Sequence, residues 1–268
     1  MARSVRRLFL ALAVAVVFVV PAIAITYGQP DTLNRYPFVG LVITPAVGGG
    51  FYVCSGSLIA PDLVLTAAHC SDNTKADGSP ADYYVSFTQT APYAFSHGWA
   101  HPHPDWTGRL TVPNTNDVGL VVLDSPVVGI APASIAPLGF VDELLTRRGT
   151  QSLRMVAVGF GLQESWPAPS RRPQAEWDLA RWWGEQRILQ SSSAYTRGYN
   201  IQLTNNPGLG NGSGGTCSGD SGGPIIHKET GFIVAVNSFG VAPYCKGNDY
   251  AYRVDIPNAQ DFIYSFGY

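Results

Sequence analysis

Charge is scarce in this chain: Asp, Glu, Lys and Arg make up 13% of its 268 residues, and the formal net charge is −2. Without a basic surplus there is nothing to neutralise a phosphate backbone, which excludes a nucleic-acid partner. Three of the arginines, Arg3, Arg6 and Arg7, stand near the start, and removing them takes the net charge from −2 to −5. Long apolar runs are also lacking. The one candidate, LFLALAVAVVFVV from Leu8 to Val20, is shorter than the roughly 20 residues of a spanning helix. Cys-x-x-Cys and paired Cys/His spacings are missing, which excludes the common structural zinc patterns, while no acidic loop stands out to decide calcium either way. No metal or cofactor is therefore expected. Internal repeats and long low-complexity tracts are missing too.

What is there begins with a basic patch, MARSVRR, then the apolar run, Pro21 and the tripeptide Ala22-Ile23-Ala24. That order is the charged region, apolar region and small-residue box of a secretory signal peptide spanning 1–24. Cleavage after Ala24 would release residues 25–268 as a secreted protein, extracellular or periplasmic. An uncleaved signal is the one reading that would leave it on a membrane. The remainder is long enough for one large domain or two small ones.

All four cysteines lie beyond residue 24, in an exported context where disulfides persist. Four cysteines allow three pairings. The sequential one joins Cys54 to Cys70 and Cys217 to Cys245, closing loops that contribute roughly 3–4 kcal/mol each. Free buried thiols are the alternative.

Short apolar or alternating runs recur between Gly, Pro, Asn and Asp: 37–44, 51–59, 63–68, 82–88 and 118–124, then 153–161, 199–204, 224–227, 231–240 and 250–254. Such spacing predicts antiparallel β sandwiches or barrels. The Pro-rich stretch 125–139 is the linker candidate, so the chain reads as an all-β protein of two β domains, 25–135 and 136–268. Two stretches look helical. One is 257–267, with Pro257 in its first turn. The other is 172–190, whose Trp177, Trp182 and Trp183 share no single face and read as packing residues in an insertion between strands.

The stretch GGTCSGDSGGP (214–224) has five glycines in eleven residues around a single acid and a serine. It is either a flexible linker or a rigid device whose amides point at something. Two other stretches bear on the choice: TAAHC (66–70) at the end of an apolar run, and NDVGL (116–120) opening another. A serine hydroxyl needs a base to become a nucleophile, histidine suits that task near neutral pH, and a carboxylate orients the imidazole.

TAAHC, NDVGL and GDSGGP, in that order along the chain, resemble the trypsin/chymotrypsin serine-protease family. Few disulfides and modest length make it similar to the bacterial secreted members. The resemblance implies two antiparallel β-barrels with a short C-terminal helix, and a secreted serine endopeptidase working through an acyl-enzyme. It implies Ser221 as nucleophile, His69 as general base and Asp117 as its orienting carboxylate, with Asp105 and Asp124 as rivals. The amides of Gly219 and Ser221 would form the oxyanion hole. The alternative is a catalytically silent binding module on the same fold. A nucleophile elbow of the α/β-hydrolase type is excluded, because that fold needs alternating helices and an acid and a histidine in order after the serine.

Family members often begin with Ile-Val-Gly-Gly, and a freed Ile ammonium pairs with the acid before the nucleophile. Ile25-Thr26-Tyr27-Gly28 matches at Ile25 and Gly28 and departs at Thr26 and Tyr27. The expectation is an ion pair between Ile25 and Asp220, made by signal cleavage itself. Substrate would be bound by Gly215, Thr216, Ser238, Phe239, Gly240 and Tyr250. Gly215 stands where trypsin-like members carry Asp, so a large apolar side chain is favoured over a small one, or over a basic one using Asp249. The protein or peptide substrate is the expected partner, and the enzyme is expected to be a monomer. His101-Pro102-His103-Pro104 reads as extended chain rather than a zinc tract. His97 and His227 read as surface residues, and Asn211-Gly212-Ser213 fits a glycosylation acceptor.

Overall fold

The computed structural model describes residues 25–146, 152–165, 175–206, 212, 214–242 and 244–268. The expected signal segment and both Asn211 and Ser213 of the acceptor motif lie outside the described residues.

Short runs rich in Val, Leu, Ile and Tyr build most of the first set of strands. These are β1 (Gln29–Pro30), β2 (Val39–Pro45), β3 (Phe51–Ala60), β4 (Leu63–Thr66), β5 (Tyr83–Ser86), β6 (Ser96–Pro102) and β7 (Gly119–Leu123), with one helical turn, α1 (Ala68–Ser71), after β4. Strands β2-β3-β4-β7-β6-β5 close into an antiparallel barrel, which leaves no open edge. Val42, Leu58, Val64, Tyr83, Val85 and Val121 fill it.

The second set comprises α2 (Phe140–Thr146), β8 (Arg154–Gly159), β9 (Glu164–Ser165), β10 (Ala175–Glu176), β11 (Trp182–Gln190), β12 (Asn200–Asn205), β13 (Pro224–His227), β14 (Ile233–Gly240), β15 (Gly247–Arg253) and α3 (Pro257–Tyr264). Strands β8-β11-β12-β15-β14-β13 form a second antiparallel barrel, closed by β13 on β8. Met155, Ile188, Ile201, Leu203, Ile225 and Val234 fill its interior together with Ile25. A further apolar cluster draws on both barrels, with Leu41, Leu65 and Leu120 from one and Val156, Val158, Ile226 and Val236 from the other. The all-β, two-barrel expectation with a C-terminal helix holds.

The chain ends exchange partners. β1, early in the sequence, pairs with β11 of the second barrel. Helix α3 packs on the first: the Phe262 ring lies 5.1 Å from His103, and Asn258 donates to Asn116 Oδ1 at 2.7 Å. Arg181, fully buried, ties the junction. It donates to Asp31 (2.9 Å) and to the carbonyls of Val39 (2.9 Å) and Phe87 (3.2 Å).

Some expectations fail. The stretch read as helical at 172–190 contains strand β11, in which buried Trp182, Gly184, Gln186 and Ile188 alternate with half-buried neighbours. That period of two marks a strand and is hidden by good helix formers. Strand β6, SHGWAHP, was not anticipated. His227 is not a surface residue: it is buried, with Nδ1 2.9 Å from Thr230 Oγ1 and its ring edge-on to Phe140. Both disulfides form in the sequential pairing.

Candidate active site

Pairing of Thr66 with Gly119 across antiparallel β4 and β7 sets the chain leaving β4 beside the chain entering β7. α1 then carries His69 beside Asp117. The His69 ring Nδ1 lies 3.0 and 2.9 Å from the two Asp117 oxygens, and the His69 backbone N–H donates to Oδ1 at 2.9 Å. Asp117 is fully buried and accepts a further bond from the Ser238 hydroxyl. Asn116, in the left-handed region at φ 47°, turns the chain so that Asp117 points inward. Asn116 is itself held by the Tyr252 hydroxyl (3.3 Å) and Asn258. Burial alone would lower the pKa of His69, but the Asp117 charge and hydrogen bond outweigh it and raise it above the usual 6.5. The rival acids lie elsewhere: Asp124 pairs with His97 at 2.6 Å, and Asp105 uses its carbonyl to hold Asn116.

The glycine-rich loop is a rigid device. Ser55 of β3 clamps it from the first barrel, its N–H donating to the Ser221 carbonyl (2.8 Å) and its hydroxyl to the Gly219 carbonyl (2.9 Å). From the second barrel, Leu162 N–H donates to Ser218 O and Gly222 N–H to Asn237 O, both at 2.8 Å. Gly219 has φ 95°, and a Cβ there would lie 2.9 Å from Gly161 Cα, so only glycine fits. Trp177 covers this turn, its indole N–H bonded to Phe160 O at 2.8 Å. Among the described residues, neither the Gly219 nor the Ser221 N–H has an acceptor. His69 and Ser221 line one cavity of about 400 Å³, with Tyr52 and Gly219 among its other walls.

A second cavity, about 310 Å³, opens on the other side of Ser221. Of the six residues expected to bind substrate, Thr216, Ser238, Phe239 and Gly240 line it. Gly215 and Tyr250 do not. Tyr250 stacks on the Phe239 ring at 4.8 Å, and Gly215 is backed so closely by Asn205 that a Cβ would sit 1.7 Å from its Oδ1. Position 215 therefore has no room for a side chain, and the acid in the cavity wall is Asp249 from β15. Asp249 is buried and accepts from Thr216 N (2.7 Å), Asn205 Nδ2 (2.6 Å) and Gln186 Nε2 (2.6 Å). Sequence reasoning singled out neither Asn205 nor Gln186, since each stands in an ordinary strand pattern.

Ile25 is fully buried over Gly184 and Gly214. Asp220 is buried as well, accepting from Gly161 N (2.8 Å) and Cys217 N (2.9 Å). No cation pairs with it among the described residues, and burial pushes its pKa up to about 7. The side chains of the HPHP tract serve the fold, His101 packing on Phe266 and His103 on Phe262. Cys54, His69 and Cys70 lie close together, but the two sulfurs are joined to each other.

The family model described as Trypsin matches residues 25–263. Among curated proteins the chain is similar to a CLIP domain-containing serine protease B4 of Anopheles gambiae, 26% identical over 80% of this chain and 62% of that protein. It is also similar to Serine protease 1 of Drosophila melanogaster (29%, over 83% and 77%) and brachyurin of Leptuca pugilator (27%, over 73% and 79%). All three sources are arthropods, not bacteria. Among solved structures it superimposes on HL collagenase with TM-score 0.68 at 18% identity, covering 91% of this chain and 98% of the other.

Proposed function

Because the chain belongs to the trypsin family, we propose that it is an exported serine endopeptidase in which Ser221, His69 and Asp117 act as the catalytic triad. The observation that carries this reading is the shared cavity of Ser221 and His69, with a buried carboxylate gripping the far side of the imidazole. In the first step the Ser221 hydroxyl oxygen bonds to the substrate carbonyl carbon while its proton passes to His69 Nε2. The carbonyl oxygen becomes negative and accepts from the Gly219 and Ser221 N–H groups. Loss of one such donor lowers the rate about 10²–10³-fold. His69 then returns the proton to the departing amine. Water repeats the sequence on the acyl-enzyme, releasing the acid and restoring the serine.

The 310 Å³ cavity takes the side chain before the cut. Its size and the open approach past Gly240 favour a large side chain, and Asp249 admits a basic one. Cleavage after Ala24 would give Ile25 an ammonium for Asp220, whose buried carboxylate needs such a partner. Ile25 sits at φ 50°, a strained torsion for a β-branched residue that the cut would abolish. The division near residue 135 assigns His69 and Asp117 to one unit and Ser221 to the other.

Labelling with a fluorophosphonate tests the proposal. A stoichiometric adduct on Ser221 is expected. Folded protein beginning at Ile25 that takes up none would leave the silent binding module standing.

A further inference from the structure

Thr26 departs from the family's usual second residue, and the structure gives that departure a use. Thr26 is buried, bridges to Gly215 in antiparallel fashion, and donates from its hydroxyl to Asn205 Oδ1 at 2.8 Å. With its oxygen committed there, the Asn205 amide must present its Nδ2 hydrogens the other way. They go to the Thr216 carbonyl (2.8 Å) and to Asp249 Oδ1 (2.6 Å). Thr216 N–H closes the circuit on Asp249 Oδ2. A valine at 26 would leave the Asn205 oxygen unpaired and free the amide to flip, turning an acceptor rather than a donor toward the carboxylate.

We propose that Thr26 and Asn205 are positioning residues that hold the Asp249 carboxylate as the charged wall of the side-chain cavity, so that the segment beginning the expected mature chain sets which side chains the cavity admits. The reading of that cavity as a substrate pocket rests on the peptidase proposal; the relay itself does not. The charged groups facing Asp249 are Asp220, close enough for the two carboxylates to feel each other, and Lys246, which lines the same cavity. Burial pushes the Asp249 pKa up to about 6 against the pull of its donors, so losing a donor moves it higher.

Calorimetric binding of benzamidine, a cation sized for such a cavity, tests the relay without needing catalysis. Affinity in the wild type should rise with pH through about 6, as Asp249 ionises, and Asp249→Asn should lose at least about tenfold at pH 7. Thr26→Val should weaken binding about fivefold and shift the rise to higher pH, while Thr26→Ser restores both. Thr26→Ala removes the same hydroxyl and repeats the test should valine disturb packing. Thr26→Val or Thr26→Ala with wild-type affinity and pH profile would overturn the relay, as would a serine variant as weak as the valine one. A relay that responds as expected in protein refusing the fluorophosphonate would instead overturn the peptidase reading alone.

Discussion

Replacing Asp220 by asparagine, with Ile25 either blocked or free, separates two contributions to stability that the fold places on one carboxylate. When a short polar leader precedes Ile25, its nitrogen is an amide and Asp220 has only two backbone N–H partners. Burial, partly offset by those bonds, raises its pKa from 3.8 to about 7. Between these values the native state holds a proton that the unfolded chain has released, so stability falls as pH rises from about 4 to 7. A gap of about 3 units at about 1.4 kcal/mol each amounts to roughly 4 kcal/mol lost by pH 8. Asp220→Asn removes this slope. A chain beginning at Ile25 offers an ammonium that favours the ionised carboxylate, so its slope should shrink to less than about half, or reverse. Urea unfolding of the four proteins between about pH 4 and 8 reads both effects. A leader-bearing protein whose difference from its asparagine variant stays within about 1 kcal/mol over that range would refute the burial reasoning. Equal slopes with and without the leader would refute the Ile25–Asp220 pair.

The wild-type activity should fall on the acid side through a midpoint above 6.5, where His69 gains its proton. Asp117→Asn should lower kcat about 10³–10⁴-fold and move that midpoint down, and a variant that keeps wild-type kcat would exclude Asp117 from the triad. Gly222→Ala would set a Cβ 2.1 Å from Thr66 Oγ1 at φ 77°. It should destabilise by at least about 2 kcal/mol in urea, and unchanged stability would contradict the close approach. Arg181→Met strands Asp31 and two carbonyls in the interior, and should remove about 3–5 kcal/mol. Adding Asp31→Asn should recover part of that loss, and strict additivity would argue against the buried pair.

The triad candidates were legible because each stands in a short stretch whose chemistry is local: a glycine loop, a histidine after an apolar run, an acid before one. Most strands were legible as short apolar runs between turn residues, as in Leu63–Thr66 and Gly119–Leu123. Strand β11 was not, since Glu185, Gln186 and Arg187 carry helix propensity that barrel pairing with β8 overrides. Strand β6 escaped because histidine and glycine replace the usual apolar residues. The cavity wall was the least legible part. Position 215 looked decisive by its distance from the serine, yet Asn205, ten residues earlier at the end of β12, occupies the space that a side chain there would need.

The exchange of chain ends bears on how the molecule comes into being. Asp117 is steadied through Asn116, and Asn116 through Asn258 of α3, so the carboxylate beside His69 is braced by a residue far along the sequence. A polypeptide emerging from a ribosome draws every strand of the first barrel from residues 39–123, but the hydrogen-bond chain that braces Asp117 stays open until Asn258 has joined it.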